Sequence, residues 1–325
     1  MLSRVADSVY WMSRYVERAE NVARFIDVNY NLTLGEPDSL AEQWAPLVHT
    51  TGDELQFLER YGTPNQEEVL QFLCFDEANP NSIISCVAAA RENARTIREV
   101  IPADVWEQLN KFHFMVRSSA QFQASLEQPQ DFCERVRLAS HLLVGAMDAT
   151  MSRGEGWHFA RVGRLIERAD KTSRIVDVQY FLLLPEPGDV GSTLDVVRWS
   201  ALLKSASALV MYRREHGRIV PERVADFLIL NRHFPRAMHY GLIVASESLS
   251  LINGSQPGTF ANLSEQRMGR LRSNMDYMGI SEIIHRGMHE FIDDFQTQLN
   301  LVGEAIQKDY FSPLPGLHEP DSHHS

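Results

Sequence analysis

The 325-residue chain has few cysteines and no long apolar run, which excludes several classes of protein. Its three cysteines, Cys74, Cys86 and Cys133, are odd in number and have no CxxC or zinc-type spacing, so the sequence predicts neither a disulfide framework nor a structural metal. No stretch approaches the roughly 18 apolar residues of a membrane helix. The first residues also lack the pattern of a secretory signal. We therefore expect a soluble cytoplasmic protein without a membrane partner.

The chain also has fewer basic than acidic residues. Lysine and arginine number 31 against 43 aspartates and glutamates, which gives a net charge of -12. This balance argues against nucleic-acid binding as the main task. The apolar fraction of 44% and charged fraction of 23% are those of an ordinary globular protein.

The sequence also lacks the common devices of nucleotide binding and nucleophilic catalysis. It contains no P-loop, no GxGxxG between a strand and a helix, and no nucleophile elbow. Di-iron bundles use Glu-x-x-His pairs with two further glutamates, and one pair, Glu282 and His285, lies in a predicted helix with His289 one turn later. Glu17 and Glu20 could supply further ligands, whereas a second pair, Glu155 and His158, straddles a glycine break. Ordinary paired or exposed histidines are the favoured alternative. We predict no metal, no cofactor and no identifiable catalytic residue.

Helical periodicity fills the chain, and alternating strand patterns are nearly absent, so we predict an all-α fold. Short segments rich in glycine, proline and aspartate interrupt it, and the predicted breaks are 35–39, 61–65, 77–81, 127–131, 152–156, 185–192 and 253–259. The tail, 312–325, is rich in proline and histidine, and we expect it to be disordered.

Two stretches of the chain have similar sequences. "RYVERAENVARFIDVNYNLTL" at 14–34 returns as "RLIERADKTSRIVDVQYFLLL" at 164–184, and a shift of 155 then pairs Trp44 with Trp199 and Gly62 with Gly217. This pattern predicts an internally duplicated multi-helix bundle with two pseudo-symmetric halves, 1–150 and 151–311. Because the period is far longer than a solenoid repeat, two bundles and one interlocked bundle both remain open.

Each copy of the repeated segment carries a stripe of charge. At 100° per residue the first set falls within an arc of roughly 140°, opposite Met12, Val16 and Ala19. The stripes comprise Arg14, Glu17, Glu20, Arg24 and Asp27 in the first copy, with Arg18 beside them, and Arg164, Glu167, Arg168, Asp170, Arg174 and Asp177 in the second. Arg18 lies on an apolar side, so its guanidinium must leave the bundle or meet a buried carboxylate.

Two interpretations of the stripes follow. In the first, glutamates and arginines form salt bridges within or between the copies and hold the halves in register. In the second, the stripes line a cleft that presents charges to a polar ligand or an acidic partner. The two interpretations are compatible.

A further basic segment is the best candidate for anion or partner binding in this acidic protein. It spans 211–240, and its residues are Arg213, Arg214, His216, Arg218, Arg223, Arg232, His233, Arg236 and His239. Guanidinium groups bind phosphates and carboxylates through paired hydrogen bonds. A solvated basic edge with ordinary ion pairs is the alternative.

Several motifs together resemble the bacterial alpha-E family. They are "MLSRVADSVYWMSRYVERAEN" at the start, "NPNSI" at 79–83, "ARENARTIR" at 90–98 and "RVADFLILNRHFPRAM" at 223–238. The resemblance covers nearly the whole chain and implies a helical domain whose Glu-Arg motif is Glu17-Arg18 and Glu167-Arg168. Members of that family accompany, or are fused to, circularly permuted ATP-grasp proteins, often beside transglutaminase-like proteins.

The resemblance therefore implies an accessory or substrate-presenting subunit for a circularly permuted ATP-grasp amide ligase, acting in peptide or amide-bond formation or modification. This chain is not expected to be an enzyme on its own. One alternative is a stand-alone enzyme with a charged or metal-containing core, in which burial shifts the pKa of Glu17 or Glu167 for acid–base work. Another is a structural scaffold with no catalytic role.

Overall fold

The computed structural model describes residues 1–33, 40–121, 129–183 and 193–312. In these ranges the secondary structure is helical and no strand is present, which confirms the all-α prediction. The first seven helices are α1 (Ser3–Thr33), α2 (Leu40–Thr51), α3 (Glu54–Tyr61), α4 (Gln66–Cys74), α5 (Ile83–Thr96), α6 (Ala103–Ala120) and α7 (Pro129–Thr150). Those that follow are α8 (Glu155–Leu183), α9 (Thr193–Ser205), α10 (Leu209–His216), α11 (Pro221–Ile229), α12 (Met238–Asn253), α13 (Leu263–Asp276), α14 (Ile280–Arg286) and α15 (Met288–Ile306), and a π-helical turn, Gln307–Phe311, ends the described chain.

Capping residues explain several helix boundaries. The side chains of Asn65, Ser82 and Asn262 accept a hydrogen bond from the backbone N–H three residues later, at the starts of α4, α5 and α13. This satisfies donors that have no partner within the helix. Gly62 and Gly217 follow α3 and α10 with positive φ angles of 76° and 71°, a conformation that glycine adopts without strain.

The long helices α1 and α8 form the centre of the molecule. They pack against each other, α1 also packs against α5 and α7, and α8 packs against α12 and α15. Residues such as Val9, Met12, Ala19 and Ile26 are buried along α1. Since neighbours surround both helices, polar side chains such as Glu17 and Glu167 are also buried.

A close crossing of α1 and α8 depends on Gly163. A Cβ atom at this position would lie 2.5 Å from the carbonyl oxygen of Tyr10 on α1, far inside ordinary contact distance. Gly163 therefore lets the two central backbones approach closely, and this approach brings the charged side chains of both helices together.

Some predicted breaks differ from the structure. The breaks at 61–65, 77–81, 152–156 and 253–259 fall at or beside helix ends, whereas α7 begins at Pro129, inside the break predicted at 127–131. Proline is well suited to the first turn of a helix, where its missing N–H costs nothing. No break was predicted between 192 and 253, yet four helices occupy that stretch. The breaks at 35–39 and 185–192 and the tail after 312 lie outside the described residues.

The helices after α8 follow the order and approximate lengths of those after α1. The segment α9 to α12 contains two medium helices separated by two short ones, as does α2 to α5. Each of these two groups of helices also contacts the central helix of the other, since α2 packs against α8 and α9 packs against α1. Within the described ranges, no helix is both long and apolar enough to cross a membrane.

Candidate functional site

The two Glu-Arg motifs bind each other across the contact between α1 and α8. Arg168 donates from Nε and Nη2 to both carboxylate oxygens of Glu17, each at 2.8 Å. Arg18 does the same to Glu167, at 2.7 and 3.0 Å. Each arginine therefore makes a bidentate pair with the glutamate of the other motif, the strongest geometry for such a pair. Arg18 meets a buried carboxylate, one of the two outcomes that its position requires.

Glu167 has two further cationic neighbours. Arg14 donates to its Oε2 at 2.9 Å, and the ammonium of Lys171 lies 3.9 Å from its Oε1. The same Arg18 that binds Glu167 also donates to Asn81 at 2.7 Å. Glu167 is thus a fully buried carboxylate surrounded by cations on both helices.

Glu17 also has an amide and a further cation close to it, but they come from other positions than those near Glu167. Asn21 donates to Glu17 at 3.0 Å, and Arg236 lies 3.2 Å from it. A shift of 150 pairs Asn21 with Lys171, and a shift of 155 pairs Asn81 with Arg236. At these paired positions a cation therefore lies beside each glutamate, Lys171 beside Glu167 and Arg236 beside Glu17, and Glu167 also binds Arg14.

Flanking carboxylates extend this arrangement along both helices. Glu20 binds Arg236 and Arg24 and accepts from Ser140 at 2.6 Å, and Asp170 lies 3.0 Å from Arg174 and 3.3 Å from Lys171. We call the connected set the charged seam. Its members are Arg14, Glu17, Arg18, Glu20, Arg24, Glu167, Arg168, Asp170, Lys171, Arg174 and Arg236.

The charged seam has more positive than negative groups. It contains seven cations but only four carboxylates, Glu17, Glu20, Glu167 and Asp170. In a chain with a net charge of -12, the centre of the bundle is therefore locally positive. A surplus of positive charge favours negatively charged ligands or partners.

The surplus of cations keeps the seam carboxylates ionised. Burial acts to raise the pKa of Glu167, but Arg18, Arg14 and Lys171 outweigh it and hold that pKa far below its ordinary value. Arg168 and Arg236 lower the pKa of Glu17 against the same effect of burial, and Arg236 with its neighbours lowers that of Glu20. A carboxylate whose pKa is lowered in this way is a poor general acid at neutral pH.

Arg164 occupies the position that pairs with Arg14 but behaves differently. Its Nε has no hydrogen-bond partner among the described residues, and burial followed by the charge of Arg168 lowers its pKa. With Glu17 it lines a cavity of about 20 Å³. A cavity of this size holds about one water molecule. The two halves of the site are therefore not identical.

A comparison with known protein families gives a match over nearly the whole chain. Residues 1–311 match a family described as an alpha-helical domain with a conserved ER motif. The chain belongs to the Alpha-E family. The chain contains two Glu-Arg dipeptides, Glu17-Arg18 and Glu167-Arg168, and the arginine of each binds the glutamate of the other between α1 and α8.

Curated relatives of this Alpha-E chain occur in mycobacteria. Uncharacterized proteins of Mycobacterium bovis and Mycobacterium tuberculosis are each 23% identical to it over 292 residues, covering 82% of this chain. The match accounts for 31% of each relative, so the chain spans about a third of their length. No solved structure shows a significant match.

The outer members of the predicted stripes lie beside the seam rather than within it. Asp27 is 3.2 Å from Arg137 of α7, and Asp177 is 2.8 Å from His289 of α15. Both aspartates line open grooves, together with Arg24 in one case and Arg174 in the other. The ends of the charged seam thus reach solvent at these two grooves.

The basic segment at 211–240 is not gathered into one patch. Arg236 is buried in the charged seam, and Arg232 lies 3.2 Å from Asp276. His239 is also buried and approaches Asp276 at 3.1 Å. The remaining members of the segment are largely at the surface, namely Arg213, Arg214, His216, Arg218, Arg223 and His233. The segment therefore contributes some of its basic residues to the core and the others to the surface.

Other reactive groups give little support for independent chemistry. Burial raises the pKa of the Cys86 thiol to about 12 and those of Cys74 and Cys133 further, so these thiols are poor nucleophiles. Among the described residues, no three His, Cys, Asp or Glu side chains are grouped as metal ligands. Glu282 and His285 are exposed on α14, and His285 approaches the Ser281 carbonyl.

Sequence reasoning missed several residues of the site. Lys171 could have been found, since it lies four residues after Glu167 on one helix face. Asn21 and Asn81 stand where the repeat places Lys171 and Arg236, so comparing the copies position by position would also have exposed them. Ser140 and His141 of α7 gave no such signal, because only the folded chain brings them to Glu20.

Proposed function

We propose that this Alpha-E protein is an accessory, substrate-presenting subunit of a circularly permuted ATP-grasp ligase that forms or modifies amide bonds. The observation that carries the proposal is the charged seam, whose surplus positive charge reaches solvent at the groove beside Arg24 and Asp27. Substrates of an amide ligase carry carboxylates, which arginine and lysine bind well. The helical subunit would hold the substrate, and the partner would bind ATP.

Two further observations support an accessory role. The described residues offer no thiol suited to nucleophilic attack, and the seam carboxylates are held ionised by their neighbours. The mycobacterial relatives are about three times as long as the part that matches, which leaves room for a second functional unit in the same polypeptide. A transglutaminase-like protein is a further proposed partner, and the proposed location is the cytoplasm.

We also propose that the chain arose by internal duplication, with pseudo-symmetric halves 1–150 and 151–311. The reciprocal Glu-Arg pairs, the shared helix order and the glycine caps at Gly62 and Gly217 support this. In a duplicated bundle of this kind the seam keeps the halves in register. The two interpretations of the stripes then apply to different parts, since the buried pairs are structural and the open ends bind ligand.

Native mass spectrometry of the tagged protein, purified gently from its own cells, tests the partnership. Recovery as a complex with an ATP-grasp protein is the expected result. The metal content of the same sample tests the alternative of a metal enzyme. Recovery of the chain alone with one or two metal ions would contradict the proposal.

The exposed surface provides a sharper version of this experiment. Arg213→Glu changes a side chain beside the open end of the seam, and Arg270→Glu makes the same change on an exposed part of α13. Both variants should fold and should retain the ATP-grasp protein if that partner binds elsewhere. Loss with Arg213→Glu alone would place the partner at this end of the seam.

A further inference from the structure

Two grooves occupy matching places at the open ends of the charged seam. The groove beside Arg24 and Asp27 has a volume of about 730 Å³, and the groove beside Arg174 and Asp177 has about 450 Å³. A shift of 150 pairs these arginines and aspartates, and a shift of 155 pairs Ser207 of the first groove with Gly52 of the second. We call the first the basic groove and the second the acidic groove, for the charges described next.

The paired positions differ in charge. The basic groove is lined by the cations Arg24, Arg137, Lys204 and Arg213 and by one carboxylate, Asp27. The acidic groove carries three carboxylates, Asp53, Glu54 and Asp177, with Arg174 and His49. The protein therefore has one predominantly positive groove and one predominantly negative groove, and a charged ligand would favour one of them.

The cations of the basic groove differ in how deeply they are buried. Arg24 is buried at the floor, and Arg137 lies beside Asp27. Lys204 and Arg213 are exposed at the rim, and no carboxylate among the described residues lies within ion-pair distance of either. The rim thus presents two cations whose charge is available to an incoming carboxylate.

Ser207 holds Arg24 at the floor of the basic groove. Its φ angle of 50° makes it the one non-glycine residue with positive φ in the described ranges, and such conformations are strained for side chains other than glycine. Its hydroxyl accepts a hydrogen bond from Arg24. Gly52, at the paired position, has no side chain for this contact. The serine therefore keeps a strained backbone while it orients a cation toward the groove.

Apolar side chains line the same groove. Val197 and Val210 are 46% and 72% exposed, and both lie on its walls with Leu209. Cations beside exposed apolar walls suit a ligand whose carboxylates sit on aliphatic stems. The volume of the groove falls within the range of about 300–1,000 Å³ that is typical of ligand sites.

We propose that the basic groove binds an acidic peptide segment, with its carboxylates on Lys204 and Arg213 at the rim and toward Arg24 at the floor. This inference rests on the proposed function in that the peptide would be the substrate presented to the ligase. Binding to the groove is measured without the ligase, so failure of one proposal is distinguishable from failure of the other.

The test is fluorescence anisotropy with a fluorescein-labelled hexaglutamate peptide and the full chain. The double variant Lys204→Glu/Arg213→Glu should bind at least about tenfold more weakly, a loss expected when two carboxylate contacts are replaced by repulsion. The matched control is Lys111→Glu/Arg270→Glu, which makes the same charge change at exposed positions on α6 and α13. Circular dichroism checks that both variants fold.

Three results would overturn the proposal. The first is the absence of measurable peptide binding to the wild-type chain. The second is an equal loss in the control variant, which would mean non-specific attraction. The third is displacement of the peptide by inorganic phosphate as readily as by unlabelled hexaglutamate, which would assign the groove to simple anions. Displacement by the peptide alone, with loss confined to the groove variant, supports it.

Discussion

At the scale of single residues, Glu167 is the most informative side chain. It is fully buried and binds Arg14 and Arg18 through both carboxylate oxygens. Burying charged groups is costly unless each has a close partner. The seam therefore depends on every partner being present, and removing one carboxylate leaves several buried cations without compensation.

Glu167→Gln should lower the free energy of unfolding by about 3–5 kcal/mol, the usual cost of breaking a buried ion pair from one side. Urea unfolding at neutral pH measures the loss. Glu282→Gln provides the control, because Glu282 is exposed on α14 and should change stability by less than about 0.5 kcal/mol. Equal effects of the two substitutions would mean that the Glu167 pairs contribute nothing specific.

Acid should destabilise the protein through the same residues. The pKa values of Glu17, Glu20 and Glu167 are lower in the folded chain than their ordinary values, so the folded state binds fewer protons than the unfolded state. Their contribution is complete above the ordinary glutamate pKa of about 4.3 and is lost as pH falls toward the folded values. Urea midpoints measured from pH 7 to pH 3 should fall below about pH 5. The Glu167→Gln variant should show a shallower decline, and an identical decline would contradict this assignment.

Only part of this residue chemistry could be predicted. The stripes on α1 and α8 follow from helical periodicity, and the position of Arg18 on an apolar side already required a buried partner. That the partner is Glu167 depends on how two distant helices cross. Periodicity describes one helix at a time, so it indicates which side chains share a face but not which carboxylate each arginine meets.

At the scale of elements, the crossing of α1 and α8 determines the site. Gly163 allows the approach, since a Cβ there would lie 2.5 Å from the Tyr10 carbonyl oxygen. Nothing in the sequence around Gly163 marks it as a contact, because a glycine within a helix can also be a tolerated defect. The helix breaks near Ser207 were equally hidden, since that turn lacks both glycine and proline.

Gly163→Ala should destabilise the protein by about 1–3 kcal/mol, the cost of overpacking a core contact, although alanine is the better helix former. Gly145→Ala is the matched control, because Gly145 lies in α7 with no atom within 4 Å of an added Cβ. That control should be neutral or stabilise by up to about 1 kcal/mol. Thermal unfolding of both variants distinguishes them, and a stabilising Gly163→Ala would contradict the close crossing.

In the molecule as a whole, the two halves have similar helix order, but amide and cationic side chains exchange positions between them. Lys171 lies beside Glu167 and Asn81 accepts a hydrogen bond from Arg18, whereas Asn21 donates to Glu17 and Arg236 pairs with it. The family and the all-helical fold could be recognised from sequence, since long motifs carry them. The difference in charge between the basic and acidic grooves could not, because each groove collects residues from helices far apart in the chain.

The exchanged arrangement predicts a compensating pair of substitutions. Arg236→Asn should destabilise the protein by about 3 kcal/mol, because Glu17 and Glu20 lose a buried cation. Adding Asn21→Lys should recover at least about 1 kcal/mol, since the new ammonium copies Lys171 beside Glu167. Asn21→Lys alone serves as the control and should destabilise. Purely additive effects in this double-mutant cycle would contradict the proposed correspondence between the halves.

The proposed role of this Alpha-E protein is to present an acidic substrate to an ATP-grasp ligase. The most direct measurement is ADP release by the purified circularly permuted ATP-grasp protein, given ATP, an acidic peptide and an amine, with and without the helical chain. We predict that the wild-type chain accelerates ADP release and amide formation together, and that Lys204→Glu/Arg213→Glu does not. Equal rates with and without the chain would contradict the claim.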